Sequence, residues 1–83
     1  MANPLEGYLM NIEARLRILE LQYRSTLSAA VAAKARYLAL AGESSSTPAA
    51  TLRAKSAWEN LAARKAGIVA QIHALEELEQ TLV

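Results

Sequence analysis

His73 is the only imidazole in the chain, and Glu76 and Glu77 follow it at i+3 and i+4. On a helix those three share a face, so a carboxylate can accept a hydrogen bond from the ring. A metal centre needs more. One nitrogen ligand with carboxylates, without a second His or any Cys, is a poor donor set for zinc or its neighbours. The role expected for His73 is therefore a helix-surface or interface histidine. Ser25, Ser28 and Ser44, Ser45 and Ser46 have no base at a spacing that would activate a hydroxyl. No glycine-rich phosphate loop is present. The sequence thus predicts no enzyme, no cofactor and no metal.

Charge is the other chemistry on offer. Lys34, Arg36, Arg53, Lys55, Arg64 and Lys65 form a basic group in the middle of the chain. The formal net charge is only +1, and no helix-turn-helix, zinc finger or basic region accompanies the group, which disfavours nucleic acid as a partner. Along the chain the charge is segregated. Residues 1–23 set Glu6, Glu13 and Glu20 against Arg15 and Arg17, a net −1. Residues 24–65 set Arg24, Lys34, Arg36, Arg53, Lys55, Arg64 and Lys65 against Glu43 and Glu59, a net +5. Residues 66–83 hold Glu76, Glu77 and Glu79, a net −3.

The elements that position these groups are two long helices. From Pro4 to Ala41 there is no further proline and only Gly7 as a glycine; from Ala49 to Val83 there is no proline and only Gly67. Between them lies Gly42-Glu43-Ser44-Ser45-Ser46-Thr47-Pro48. Asn3-Pro4-Leu5-Glu6 reads as a capped helix start, with Pro at N1 and Glu at N3. Thr47-Pro48 repeats the signal for the second helix, and Gly42 is the natural left-handed residue to end the first. The prediction is a single all-α domain over residues 1–83: an antiparallel, coiled-coil-like two-helix hairpin with helix 1 over about 4–41, a loop at 42–47 and helix 2 over about 48–82.

Apolar positions give the seam. Leu5, Leu9, Ile12, Leu16, Leu19, Tyr23, Thr26, Ala30, Ala33, Tyr37 and Leu40 step by three and four, a 3.5-residue period. On helix 2, Leu61, Ile68, Leu75 and Leu82 recur every seven with Trp58 and Ile72 beside them, while Lys65 and Glu79 make the stripe partly polar. Two rows of small residues, Ala29, Ala32, Ala35, Ala39 and Ala62, Ala66, Ala70, Ala74, are expected to let the helices approach closely near the loop.

Other aliphatic side chains do not belong to those stripes. Ile18, Leu21, Leu27, Val31 and Leu38 on helix 1, and Val69 and Leu78 on helix 2, widen the apolar arc beyond what one partner helix covers. With Trp58 they form the candidate protein interface. A chain of 83 residues without cysteine lacks disulfide or thiolate staples and stabilises itself by helix packing or oligomerisation. Its apolar fraction is 53%, but 18 of those residues are alanines that bury little area.

These features predict a non-enzymatic module that self-associates, as a homodimer or higher homo-oligomer. The simplest form is a C2 four-helix bundle, which binds another protein as adaptor, small chaperone or inhibitor. Two hairpins laid antiparallel would match basic half to acidic half. The helix–loop–helix plan resembles the small hairpin co-chaperones of bacterial type III secretion, which shield an aggregation-prone subunit; that resemblance implies an obligate heteropartner. A second alternative is a nucleic-acid-associated regulatory dimer using the basic loop half. Residues 26–42, the most membrane-like stretch, carry Lys34 and Arg36, and no secretory leader pattern opens the chain, so a cytoplasmic protein without a membrane span is expected.

Overall fold

The computed structural model describes residues 4–82. Helix α1 spans Pro4–Gly42 and helix α2 spans Pro48–Leu82. The two pack against each other along their length as an antiparallel hairpin. Asn3, the expected cap of α1, lies outside the described residues. Pro4 opens α1, where its missing N–H costs nothing, and Glu6 sits in the first turn, where the helix dipole favours an anion.

The turn is built differently from the expectation. α1 continues through Gly42 in right-handed geometry, and no described glycine has a positive φ. The carbonyls at the helix end are satisfied by other means. The Glu43 N–H donates to the Leu40 carbonyl at 3.2 Å, tightening the last turn. Ser46 Oγ then donates to the carbonyl oxygens of Leu40 and, at 2.9 Å, Glu43. With a hydroxyl closing the helix end, no left-handed residue is needed. On the far side Thr47 caps α2 as its sequence predicts: the Ala50 N–H donates to Thr47 Oγ1 at 3.1 Å, and the Thr51 N–H reaches the Thr47 carbonyl at 3.1 Å.

The seam follows the heptad stripes. Lettered as a coiled coil, the a positions are Leu9, Leu16, Tyr23, Ala30 and Tyr37 on α1 and Thr51, Trp58, Lys65, Ile72 and Glu79 on α2. The d positions are Ile12, Leu19, Thr26, Ala33 and Leu40, and Ala54, Leu61, Ile68, Leu75 and Leu82. Every one of these residues is buried or half-buried. The centre of the core is Leu19, only 1% exposed, with Ile12, Ala30, Ala54 and Ile68 as the other buried apolar residues. Leu5, at the open end of the stripe, is 38% exposed.

The alanine rows do not make the close contact expected of them. Ala29, Ala32, Ala35, Ala39, Ala66, Ala70 and Ala74 are exposed, and only Ala62 is half-buried. The reason is helical arithmetic: on α2 each four-residue step advances about 40° beyond a full turn, so that row walks off the seam, and on α1 the row falls at positions g, c, f and c, outside it. The small residues that bring the helices together near the loop are instead Ala30, Ala33, Ala50 and Ala54.

The result is a thin rod, 68 × 16 × 14 Å. Its Cα radius of gyration is 18.8 Å, against about 12 Å for a compact domain of this length.

Candidate protein-interaction surface

An antiparallel pair has two lateral flanks. Positions e and b of both helices lie on one, positions g and c on the other, and position f points straight out. The structure displays both flanks beside the loop. Ala41, Leu52 and Lys55 share a shallow groove with Tyr37 on the e/b flank, hereafter the first flank. Ala32, Arg36, Ala50, Arg53 and Ala57 share another on the g/c flank, the second flank.

The large apolar side chains outside the seam are distributed over both flanks and the outer faces. Ile18, Leu21, Val31, Leu38 and Leu78, five of the sequence-predicted interface residues, are 47–65% exposed. Leu27 and Val69 are half-buried because both occupy e positions, at the shoulder of the seam on the first flank. Trp58 is half-buried at a seam position and stacks on Tyr37, with centroids 5.7 Å apart and planes at 19°. The Lys34 ammonium lies 5.5 Å from the Trp58 ring centroid, within cation–π range. Tyr8, Met10 and Leu52 are also exposed, 64–69%. They belong to the same apolar arc but were not marked by the stripe pattern. Met10 and Leu52 share position b with Val31 and Leu38, and that shared heptad letter was the available signal.

Charge separates cleanly by flank. All three glutamates of α1 before the loop, Glu6, Glu13 and Glu20, fall at e, on the first flank. Glu76 at e and Glu59 at b join them from α2, facing Arg17, Arg24, Lys34 and Lys55 on the same flank. The helices give the second flank arginine alone: Arg15, Arg36, Arg53 and Arg64. Among the described residues the one ion pair within 4.0 Å is Lys55 with Glu59, 3.9 Å apart and exposed. Glu13 and Glu20 have Arg17 and Arg24 one turn further along α1, but neither pair closes to within 4.0 Å, and Lys55, the first-flank cation of α2, lies at the loop end. Lys65 and Glu79, the charged members of the seam, are half-buried.

His73 is exposed at a b position on the first flank, and Glu76 at e and Glu77 at f beside it are exposed too. Among the described residues no group of three or more His, Cys, Asp or Glu is placed to hold a metal ion. No described helix is long and apolar enough to cross a membrane. No protein-family model matches this chain, and neither a curated protein nor a solved structure is significantly similar to it.

Proposed function

We infer that the chain is a non-enzymatic protein-interaction module, which self-associates and offers its remaining surface to another protein as adaptor, chaperone or inhibitor. The observation that carries this reading is surface. The hairpin exposes 6221 Å² for 9.0 kDa, whereas a compact monomer of that mass exposes about 4,900 Å². The surplus of about 1,300 Å² is larger than the ~800 Å² that each partner contributes to a standard protein interface. Among the described residues, nine large hydrophobic side chains lie in that exposed surface. A rod whose described apolar core is five residues gains most of its remaining stabilisation by covering them.

Sedimentation velocity and equilibrium on the purified chain test it. A dimer or larger species at tens of micromolar is expected, with a melting temperature that rises with concentration. A folded, strictly monomeric chain over that range would refute self-association. The partner suited to the remaining surface is acidic, because the second flank presents guanidinium groups without carboxylates and arginine binds carboxylate in a two-pronged geometry. Replacing Arg36 and Arg53 by Glu should abolish capture of an acidic polypeptide such as poly-Glu while leaving the sedimentation profile unchanged.

A further inference from the structure

We propose that the first flank is the face on which a second copy of this chain docks, antiparallel, about a two-fold axis crossing both helices near mid-length. This rests on the self-association inferred above and names its surface and register. The argument is charge complementarity worked pair by pair.

Consider a two-fold that lays α1 antiparallel on its own copy with Glu13 of one chain against Lys34 of the other. The same operation sets Glu6 against Ala41, Met10 near Leu38, and Glu20 against Leu27. On α2, a two-fold that sets Lys55 against Glu76 also sets Ala62 against Val69 and brings Ala66 near its own copy. Every residue in these pairs is at e or b, on the first flank. The two conditions were chosen independently, yet their midpoints coincide in space. The α1 midpoint lies between residues 23 and 24, the α2 midpoint between 65 and 66. With Tyr37 and Lys34 both against Trp58, those points fall within about two helical turns of the same level. One axis therefore serves both helices, and long Glu and Lys side chains absorb the remaining offset.

The centre of that face is apolar where the axis passes. Leu27, Ala62 and Val69 are the half-buried shoulder residues of the first flank, and a second copy would finish burying them. Small side chains at Ala62 and Ala66 let the facing helices approach. Exposed Met10, Val31, Leu38 and Leu52 are also covered in this arrangement. Arg24 is the one like-charged residue brought near its own copy; it sits at the outer edge, one turn from Glu20 of either chain, and can turn to that carboxylate.

The alternatives fail on charge. Parallel docking of first flanks, about a two-fold along the rod, lays α1 on the α2 of the other copy and opposes Glu13 to Glu76 and Lys34 to Lys55, like charge to like charge. Docking through the second flank, in either direction, opposes arginines with arginines, because Arg15, Arg36, Arg53 and Arg64 have no helical carboxylate among them. Such like-charge juxtaposition selects against an interface.

Charge-swap pairs test the assignment by analytical ultracentrifugation at low ionic strength, with circular dichroism confirming that each variant remains helical. Glu13→Lys alone and Lys34→Glu alone should each weaken dimerisation about tenfold, since each converts two attractive contacts into repulsive ones. An equimolar mixture of the two variants should regain the wild-type affinity as a heterodimer, because all four facing charges are then opposite. Glu76→Lys and Lys55→Glu should behave the same way, while Arg36→Glu on the second flank should leave the wild-type dimer intact. Failure of both mixtures to recover, or an equal loss from Arg36→Glu, would overturn the first-flank assignment. A monomeric wild-type chain would instead overturn the self-association reading beneath it.

Discussion

Replacing Leu19 by Ala is the sharpest probe of the seam. Among the described residues Leu19 is the only large side chain with less than 2% of its surface exposed, and it sits at a d position near mid-length of α1, held from both sides by seam residues. Truncation removes about three carbons of transfer free energy, roughly 2–2.5 kcal/mol. The neighbouring turns of two continuous helices cannot collapse into the space, so a cavity term adds to it, giving about 3 kcal/mol in all. For a chain of this size each kcal/mol moves the melting temperature by about 4–8 °C, so a fall of roughly 12–24 °C is expected. Thermal unfolding followed by far-UV circular dichroism at fixed chain concentration measures it. The control is Leu21→Ala, two residues on but 65% exposed at an outward f position, which should shift stability by no more than about 0.5 kcal/mol. A drop under about 4 °C for Leu19→Ala, or an equal drop for both, would refute the seam geometry.

Three further substitutions test the local chemistry. Thr47→Ala removes the hydroxyl that accepts the Ala50 N–H and should cost about 1 kcal/mol, whereas Thr47→Ser should cost little. Ser46→Ala removes the donor to the Leu40 and Glu43 carbonyls and should destabilise by about 1 kcal/mol, while Ser44→Ala, at an exposed position, should change nothing measurable; equal effects would mean that Ser46 does not close the turn. Gly67→Ala should stabilise by about 0.5–1 kcal/mol through helix propensity, read as a higher melting temperature, because a Cβ there meets nothing within 4 Å; a destabilised variant would show that another helix approaches Gly67 on the second flank.

The hairpin was legible because a heptad stripe is a direct record of packing. The α1 positions that step by three and four from Leu9 to Leu40 are the ones the structure buries, and Thr47-Pro48 starts α2 as their chemistry dictates. The misreadings have physical causes. Gly42 was assigned to end α1 on propensity, but the end is set by a hydroxyl, Ser46 Oγ, whose reach across the turn is a three-dimensional fact. The alanine rows look periodic, but the four-residue steps on α2 drift about 40° each around the helix, and the 3-3-4 row on α1 misses positions a and d altogether. Leu27 and Val69 were recognised as off the stripe but not as members of one flank, because that requires knowing that position e of one antiparallel helix lies beside position e of the other. The same knowledge turns the charge segregation seen along the chain into a second, lateral segregation that no linear window displays.

That lateral division has a consequence for assembly. If first flanks pair, the second flanks of the two chains face outward, and each presents Arg15, Arg36, Arg53 and Arg64 along one side of a four-helix body. Those four residues run from the open half of α1 to the loop and back along α2, so each outward face offers an extended line of guanidinium groups with small side chains, such as Ala32, Ala50 and Ala57, between them. An acidic helix or extended acidic segment can lie along that line with its carboxylates paired and its backbone close to the alanines. The assembly would then be bivalent, with one partner segment on each face and a two-to-two stoichiometry. Titration of an acidic peptide of about 20 residues by isothermal calorimetry measures this directly, with one site per chain expected and affinity falling as salt rises. One site per dimer would mean that a single peptide spans both chains, and would count against the division of labour between the flanks.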